Sequence, residues 1–268
     1  MRDRAAIGGL AVVGAIGLLC ALAPLIAPFD PNAVDAANRL APIGAEAHPL
    51  GTDDLGRDIL SRLLWGGRVS LVVGLLPVAI AVAIGVALGA LAGYRRGLVD
   101  GTIMRCIDVL LAFPAYLLAI AIVSALGAGL NNAILAIAVV SSASFARLVR
   151  GSVLSIRERD YVYAARLAGA RGSRIVLSHV LPNAFSPVIV FATLEAGRTI
   201  IFAAGLSFLG LGVQPPTAEW GAMLAQGRGV LNIAPHVASL PGVAILLVSL
   251  GLNIFGDGLR DALDPRSN

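Results

Sequence analysis

Long uncharged runs are the feature of this sequence that most limits its fold. The segments Ala5–Phe29, Val69–Tyr94 and Val109–Ala146 contain no Asp, Glu, Lys or Arg. A membrane-spanning helix needs about 20 apolar residues to cross a hydrocarbon core of about 30 Å. Only 13% of the residues are charged, against about 25% in an ordinary soluble domain. The chain is therefore predicted to be an all-α, polytopic membrane protein.

The apolar runs predict six transmembrane helices. Val109–Ala146 is too long for one helix, and the polar, flexible segment 127–132 (GAGLNN) divides it. The first run exceeds the core of about 7–15 residues of a signal peptide, so an uncleaved first helix is favoured. The expected spans are 5–29, 69–94, 106–126, 133–149, 185–209 and 238–256.

Arginine placement predicts the orientation of these spans. If the N-terminus is inside, 14 arginines lie on the cytoplasmic side and 5 outside. The positive-inside rule then predicts that both termini are cytoplasmic. We expect an N-terminal helix with an external segment at 1–68, a transmembrane domain at 69–257 and a cytoplasmic tail at 258–268. A 35-residue cytoplasmic loop covers 150–184.

The basic residues also exclude several functions. All 20 are arginine, so the chain has neither a P-loop lysine for nucleotide phosphates nor a Schiff-base lysine. Two cysteines and three separated histidines predict no metal site. The arginines flank apolar spans, which favours membrane topology over nucleic-acid binding. We therefore expect neither ATP hydrolysis by this chain nor a bound cofactor.

The cytoplasmic loop carries the most specific pattern. Val162, Ala165 and Gly169 recur at helical spacing, and Gly169 and Gly172 predict a turn. A second short helix is expected to end before Pro182. The small residues leave a surface that another protein can approach closely. The alternative is a solvated linker, which has no need of this order of elements.

These residues resemble the EAA loop of type I ABC importer permeases. The family pattern is Glu-Ala-Ala, three residues, Gly, nine residues and Ile-x-Leu-Pro. This chain has Ala164, Ala165 and Gly169 at those positions, but Tyr163 replaces the glutamate and His179 the isoleucine. Both departures resemble the peptide and nickel branch of the family, where His-x-Leu-Pro-Asn is usual.

Three further blocks resemble the same branch. They are HPLGTDDLGRD at 48–58 with WGGR at 65–68, LSFLGLG at 206–212 with EWG at 219–221, and NIFGD at 253–257 with the acidic and basic residues after it. Each block alone is moderately specific, whereas four blocks in family order cover nearly the whole chain. The chain is similar to the C-type permease subunit of dipeptide, oligopeptide and nickel importers.

The resemblance implies a multi-subunit importer in the cell inner membrane. A second permease subunit, two cytoplasmic ATPase subunits and an external substrate-binding protein are implied as partners, together with membrane lipid and without nucleic acid. The loop would couple ATPase closure to movement of the bundle. The candidate coupling residues are Tyr163, Ala164, Ala165, Arg166, Gly169, Arg171, His179, Leu181 and Pro182. For the arginines, membrane topology alone is an equal explanation.

Glu195 and Arg198 are the charged residues of the fifth span. One charge at mid-helix costs about 2.5–3.5 kcal/mol on insertion scales, so neither should face lipid. They lie three residues apart on one helical face and can neutralise each other. They belong to the substrate path, to a structural ion pair or to a contact with the partner permease, and a self-contained pair is favoured because it needs no substrate.

A cluster of charged residues lies in the external segment. Asp53, Asp54, Arg57 and Asp58 could form a docking surface for the binding protein. A solvated helix start is equally consistent, because acidic residues favour a first turn.

Peptides are the expected cargo, and two alternatives remain. One is nickel or another small solute carried by the same family, because the binding protein usually selects the cargo. The other is a secondary transporter, a class that often has inverted repeats. No such repeat is visible between the two halves of this sequence.

Overall fold

The computed structural model describes residues 2–263, apart from the side chains of residues 2, 3 and 173. Within that range the chain forms helices and turns without a β-strand, which confirms the all-α prediction. The helices are α1 Arg2–Ala21, α2 Ala23–Ile26, α3 Ile59–Arg95, α4 Gly97–Ala112, α5 Ala115–Leu126, α6 Leu130–Ile156, α7 Asp160–Leu167, α8 Gly172–Ile175, α9 Leu181–Phe208, α10 Trp220–Gly227 and α11 His236–Leu263. The predicted tail extends past 263, where it lies outside the described residues.

Five helices of the described chain are long and apolar enough to cross a membrane: α1, α3, α6, α9 with the π turn before it, and α11. α4 and α5 meet at an angle of 95° and together form either a sixth, broken span or a re-entrant loop. Our expectation of one uninterrupted helix at 106–126 is therefore wrong. Pro114 forces the preceding Phe113 into extended backbone (φ −90°, ψ 142°), and this ends α4.

The long helix α3 begins ten residues before its predicted start. The Asp58 carboxylate caps the helix by accepting a hydrogen bond of 2.7 Å from the backbone N–H of Ser61. Because this stretch contains Arg62 and Arg68, we predicted that it belongs to the external segment. The expected boundary between 68 and 69 consequently falls inside α3, which has 37 residues and a length of about 55 Å.

Glycines join α3 to α6. Gly85, Gly89 and Gly93 lie four residues apart, so they share one face of α3. A Cβ added at Gly89 would lie 2.5 Å from the carbonyl oxygen of Ala146 and 2.8 Å from Cβ of Val149. The backbones of the two helices therefore approach more closely than any larger side chain would permit, as in small-residue packing between membrane helices.

Both ends of the described chain lie at the same face of the bundle. Ala6, near the start of α1, contacts Gly258 near the end of α11, whereas Cys20 at the end of α1 contacts Gly67 near the start of α3. The start of α1 and the end of α11 therefore lie at the face where α3 ends. The opposite face holds the segment between α2 and α3 together with α10.

Replacing Gly89 by alanine should destabilise the protein, because the added methyl group has no space between α3 and α6. Overpacking of this kind costs about 1–3 kcal/mol. The expected result is a melting temperature several degrees lower in detergent. Gly151→Ala on α6 is the matched control, since a Cβ there meets no atom within 4 Å. Equal melting temperatures for the two variants would contradict this packing.

Candidate coupling segment and membrane cavity

The short helix α7 lies on the end of the bundle and is anchored by one side chain. Val162 is fully buried and belongs to the main core, with Ile175 and Val180. The outer face of α7 carries exposed Ala164 and Leu167, and the Leu167 side chain is 89% exposed. The helix therefore presents a small, apolar surface outward.

The predicted turn after α7 is present. Gly169 has φ +83°, a left-handed conformation that favours glycine. Tyr163, Arg166 and Arg171 are exposed, and the Arg166 guanidinium lies 5.6 Å from the centre of the Tyr163 ring. Two of the candidate residues, Tyr163 and Arg166, therefore lie side by side.

The helix after the turn does not end before Pro182, contrary to our expectation. α8 continues through a π-helical turn, Val176–Val180, directly into α9. Pro182 lies in the first turn of α9, directly after the π turn, and a helix accepts proline in its first turn. His179 is half-buried in the π turn, and its carbonyl oxygen accepts a 2.7 Å hydrogen bond from the Asn183 side chain. Leu181 is half-buried and Pro182 is exposed.

Arg157 fastens the segment before α7 to the end of α3. One of its Nη atoms donates to the carbonyl oxygens of Gly93 and Tyr94, at 3.0 and 2.9 Å. These carbonyls belong to the last turn of α3, where helix carbonyls lack partners of their own. The guanidinium also lies 5.9 Å from the centre of the Tyr94 ring, and Tyr94 in turn packs against Gly172.

Glu158 makes a second connection between the same two elements. It accepts hydrogen bonds from the Tyr163 hydroxyl at 2.9 Å and from an Arg96 Nη at 2.8 Å. The Tyr163 hydrogen bond, together with the nearby arginines, lowers the pKa of the Glu158 carboxyl below its ordinary value. A lowered pKa keeps the group ionised at neutral pH, and its contribution is lost only when the pH falls through that value. Sequence analysis missed Arg157 and Glu158 because their partners at the end of α3 lie more than 60 residues away.

Most of the charged cluster of the external segment is buried, whereas one of our two expectations for it was a solvated helix start. Asp53, Arg57 and Asp58 are 2–4% exposed. Buried charges must be paired to avoid a large desolvation cost, and these pair with one another and with their neighbours. Only Asp54 reaches solvent, with 38% of its side chain exposed. Three of the four residues are thus unavailable for docking.

The buried cluster ties the external segment to the helices. Arg57 Nε lies 2.7 Å from Asp53 Oδ2, and an Arg57 Nη donates to Gln226 Oε1 on α10 at 3.0 Å. Asp58 lies 3.0 Å from Nδ1 of the buried His48. The cluster therefore folds the external segment onto α3 and α10.

A cavity of about 350 Å³ lies among α4, α5, α6 and α9. Glu195 and Arg198 line it, and an Arg198 Nη lies 3.4 Å from Glu195 Oε2. Ser141 on α6 donates to Glu195 Oε1 at 3.1 Å. The predicted pair is thus formed, and it opens onto a cavity. The described residues contain no group of three His, Cys, Asp or Glu side chains placed to hold a metal ion.

Comparison with known proteins places the chain in a family. Residues 85–268 match the family described as binding-protein-dependent transport system inner membrane component, and residues 1–42 match the N-terminal transmembrane domain of oligopeptide transport permease C. The fold is similar to the methionine ABC transporter MetNI in an inward-facing conformation. The TM-score is 0.63 at 20% identity, over 76% of this chain and 96% of that one.

Curated relatives match nearly the full length. A dipeptide transport system permease of Alkalihalophilus pseudofirmus is 46% identical, over 99% of this chain and 87% of its own. A di/tripeptide permease of Pseudomonas aeruginosa is 48% identical, over 99% and 89%. A glutathione permease of Escherichia coli is 49% identical, over 90% and 80%. The resemblance stated from the motifs is confirmed: the chain belongs to the inner-membrane permease family of binding-protein-dependent ABC importers, as a C-type, multi-pass subunit.

Proposed function

We propose that this chain is the membrane-spanning permease subunit of an ATP-driven importer of di- or oligopeptides. The observation that carries the proposal is the near-full-length similarity to permeases named for dipeptides, di/tripeptides and glutathione. Family membership implies a partner permease, ATPase subunits and a substrate-binding protein in general. We propose a heterodimer with a second permease and two separate ATPase subunits, because this chain has no lysine for a P-loop.

We propose that α7 and the turn after it dock on the ATPase subunits. The outer face of α7 is small and apolar, and no described residue of this chain covers Leu167. An exposed apolar patch of this kind marks a protein contact. Tyr163, Arg166 and Arg171 would supply polar contacts around it.

The movement would reach the outer face through α3. Arg157 and Glu158 attach the coupling segment, which covers residues 157–172, to the end of α3. Near its other end, the Ser70 hydroxyl donates to Glu219 at 2.9 Å, and Glu219 caps α10. Since α3 is one continuous helix, displacing the coupling segment would change its contacts with α10. Such differential contacts are what a two-state transporter requires.

We also propose that both termini are cytoplasmic. The start of α1, the end of α11 and the coupling segment lie at one face of the bundle. That face also carries most of the arginines, as the positive-inside rule requires of the cytoplasmic side.

The test is uptake by the reconstituted assembly. Proteoliposomes containing this chain, the partner permease and both ATPase subunits would be given binding protein with a labelled dipeptide, a tripeptide or Ni²⁺. Peptide uptake that depends on ATP and on the binding protein is expected. Uptake of Ni²⁺ without peptide uptake would contradict the peptide assignment, and uptake without any ATPase would indicate a secondary transporter.

Replacing Ala164 by tryptophan should block docking without unfolding the permease. The residue is exposed on α7, so the indole would occupy space intended for the ATPase. Co-purification of the ATPase subunits and peptide uptake should both be lost, while membrane insertion persists. Ala47→Trp, at an exposed site on the opposite face, should retain the ATPase. Retention by both variants would contradict docking at α7.

Gly169→Trp should also abolish uptake, although backbone strain at φ +83° adds to its effect.

Replacing Arg157 by glutamine should uncouple ATP hydrolysis from transport. The change removes the hydrogen bonds to the Gly93 and Tyr94 carbonyls, and each unsatisfied buried group costs about 1–3 kcal/mol. The ATPase should still bind, but the peptide transported per ATP hydrolysed should fall roughly tenfold. Arg159→Gln removes the same charge from an exposed neighbour. An equal loss in both variants would show that charge, rather than the attachment to α3, is responsible.

A further inference from the structure

The charged pair of α9 lies halfway along its helix. Glu195 is fourteen residues after Leu181 and thirteen before Phe208, the two ends of α9. At that depth a charged side chain facing lipid is strongly disfavoured. The side of α9 that carries the pair must therefore face water or protein.

The two members of the pair have different surroundings. Glu195 is 13% exposed and is held from α6 by Ser141. Arg198 is 75% exposed, and its only hydrogen bond among the described residues is the 3.4 Å contact with Glu195. A guanidinium carries five N–H donors, so most of its donors are directed away from the glutamate.

A third polar group belongs to the same cavity. Thr199 is one of the residues that line the cavity, and its buried hydroxyl has no hydrogen-bond partner among the described residues. Buried hydroxyl groups are almost always hydrogen-bonded, so an unpaired one calls for an explanation such as a missing ligand. The Tyr116 and Phe202 rings stack with their centres 4.1 Å apart and form an apolar wall beside it.

The volume and chemistry of the cavity fit a small ligand. About 350 Å³ lies at the lower end of the range of 300–1,000 Å³ for ligand sites, which combine apolar walls with a few convergent polar groups. Here those groups are a guanidinium and an unpaired hydroxyl. Both can donate to a carboxylate, the anion that a guanidinium binds in a bidentate manner.

We propose that this cavity binds the terminal carboxylate of a short peptide during its passage, with Arg198 as the anchoring residue and the Thr199 hydroxyl as a second donor. The proposal rests on the proposed peptide importer and deepens it. Glu195 would orient the guanidinium and partly neutralise it. The carboxylate is then held weakly enough to leave, as a transport path requires.

The experiment uses the complete assembly in proteoliposomes. Uptake of labelled dialanine would be compared with uptake of its C-terminal amide, each normalised to loading of the binding protein. Arg198→Gln should lower dialanine uptake about tenfold, the effect of losing roughly one charge-assisted hydrogen bond, and should leave amide uptake unchanged. Thr199→Val should give a smaller loss of the same kind, and Arg198→Lys should restore part of the uptake.

Arg147→Gln is the matched control. It removes an arginine from another exposed ion pair, with Asp108, that lies outside the cavity, and it should leave uptake of both peptides within about twofold. Assembly with the partner permease should be unchanged in all variants, and Arg147→Gln should also leave substrate-free ATP hydrolysis unchanged.

Three results would overturn the site. They are normal dialanine uptake by Arg198→Gln, an equal loss for both peptides, and loss of the co-purified partner permease, which would identify the pair as a subunit contact. Failure of the unchanged assembly to take up any peptide would instead overturn the proposed function and this site with it.

Discussion

The glycine contact between α3 and α6 is the constraint on which the rest of the structure depends. Without side chains at Gly85, Gly89 and Gly93, the two backbones pack directly against each other. Dispersion and close packing must supply this association, because lipid tails remove the hydrophobic driving force between helices. The contact brings the end of α6 beside the end of α3. Only then can Arg157, just after α6, reach the carbonyl oxygens of the last turn of α3.

The cost of removing charge from water organises one face and the middle of the bundle. At one face, Asp53 and Arg57 are buried together and are satisfied by one another and by Gln226. This pairing turns an external loop into a folded cap. In the middle of α9, Glu195 is satisfied by Ser141 but Arg198 remains largely exposed. A structural cluster saturates its donors, whereas a binding site leaves some of them available.

The bend between α4 and α5 makes room for the cavity. Pro114 ends α4, and the change of direction places residues of α4 and α5 on two sides of the space next to α9. A straight helix over 106–126 would line the cavity on one side only. The same proline that interrupts the helix predicted over 106–126 therefore shapes the cavity that α4 and α5 line.

Much of the architecture could be predicted because it depends on local properties. The apolar runs predicted the membrane-spanning helices, and the spacing of three residues predicted that Glu195 and Arg198 form a pair. Glycine at 169 set the turn after α7, since a left-handed backbone favours that residue. Pro182 misled because a proline is excluded from a helix interior but accepted in a first turn, and the π turn that precedes α9 supplies that position.

The sequence by itself determined the membrane class and the helical composition, since these follow from hydropathy and short-range spacing. It also indicated the family, through the resemblance of its four motif blocks. The tertiary structure alone decided that Asp53 is buried, that Glu158 joins Arg96, and that the buried Thr199 hydroxyl lacks a partner among the described residues. Those outcomes depend on contacts between residues far apart in the chain or on the space left between helices. Long-range contacts and the space between helices produce no periodic pattern in the sequence, because both depend on how whole helices pack.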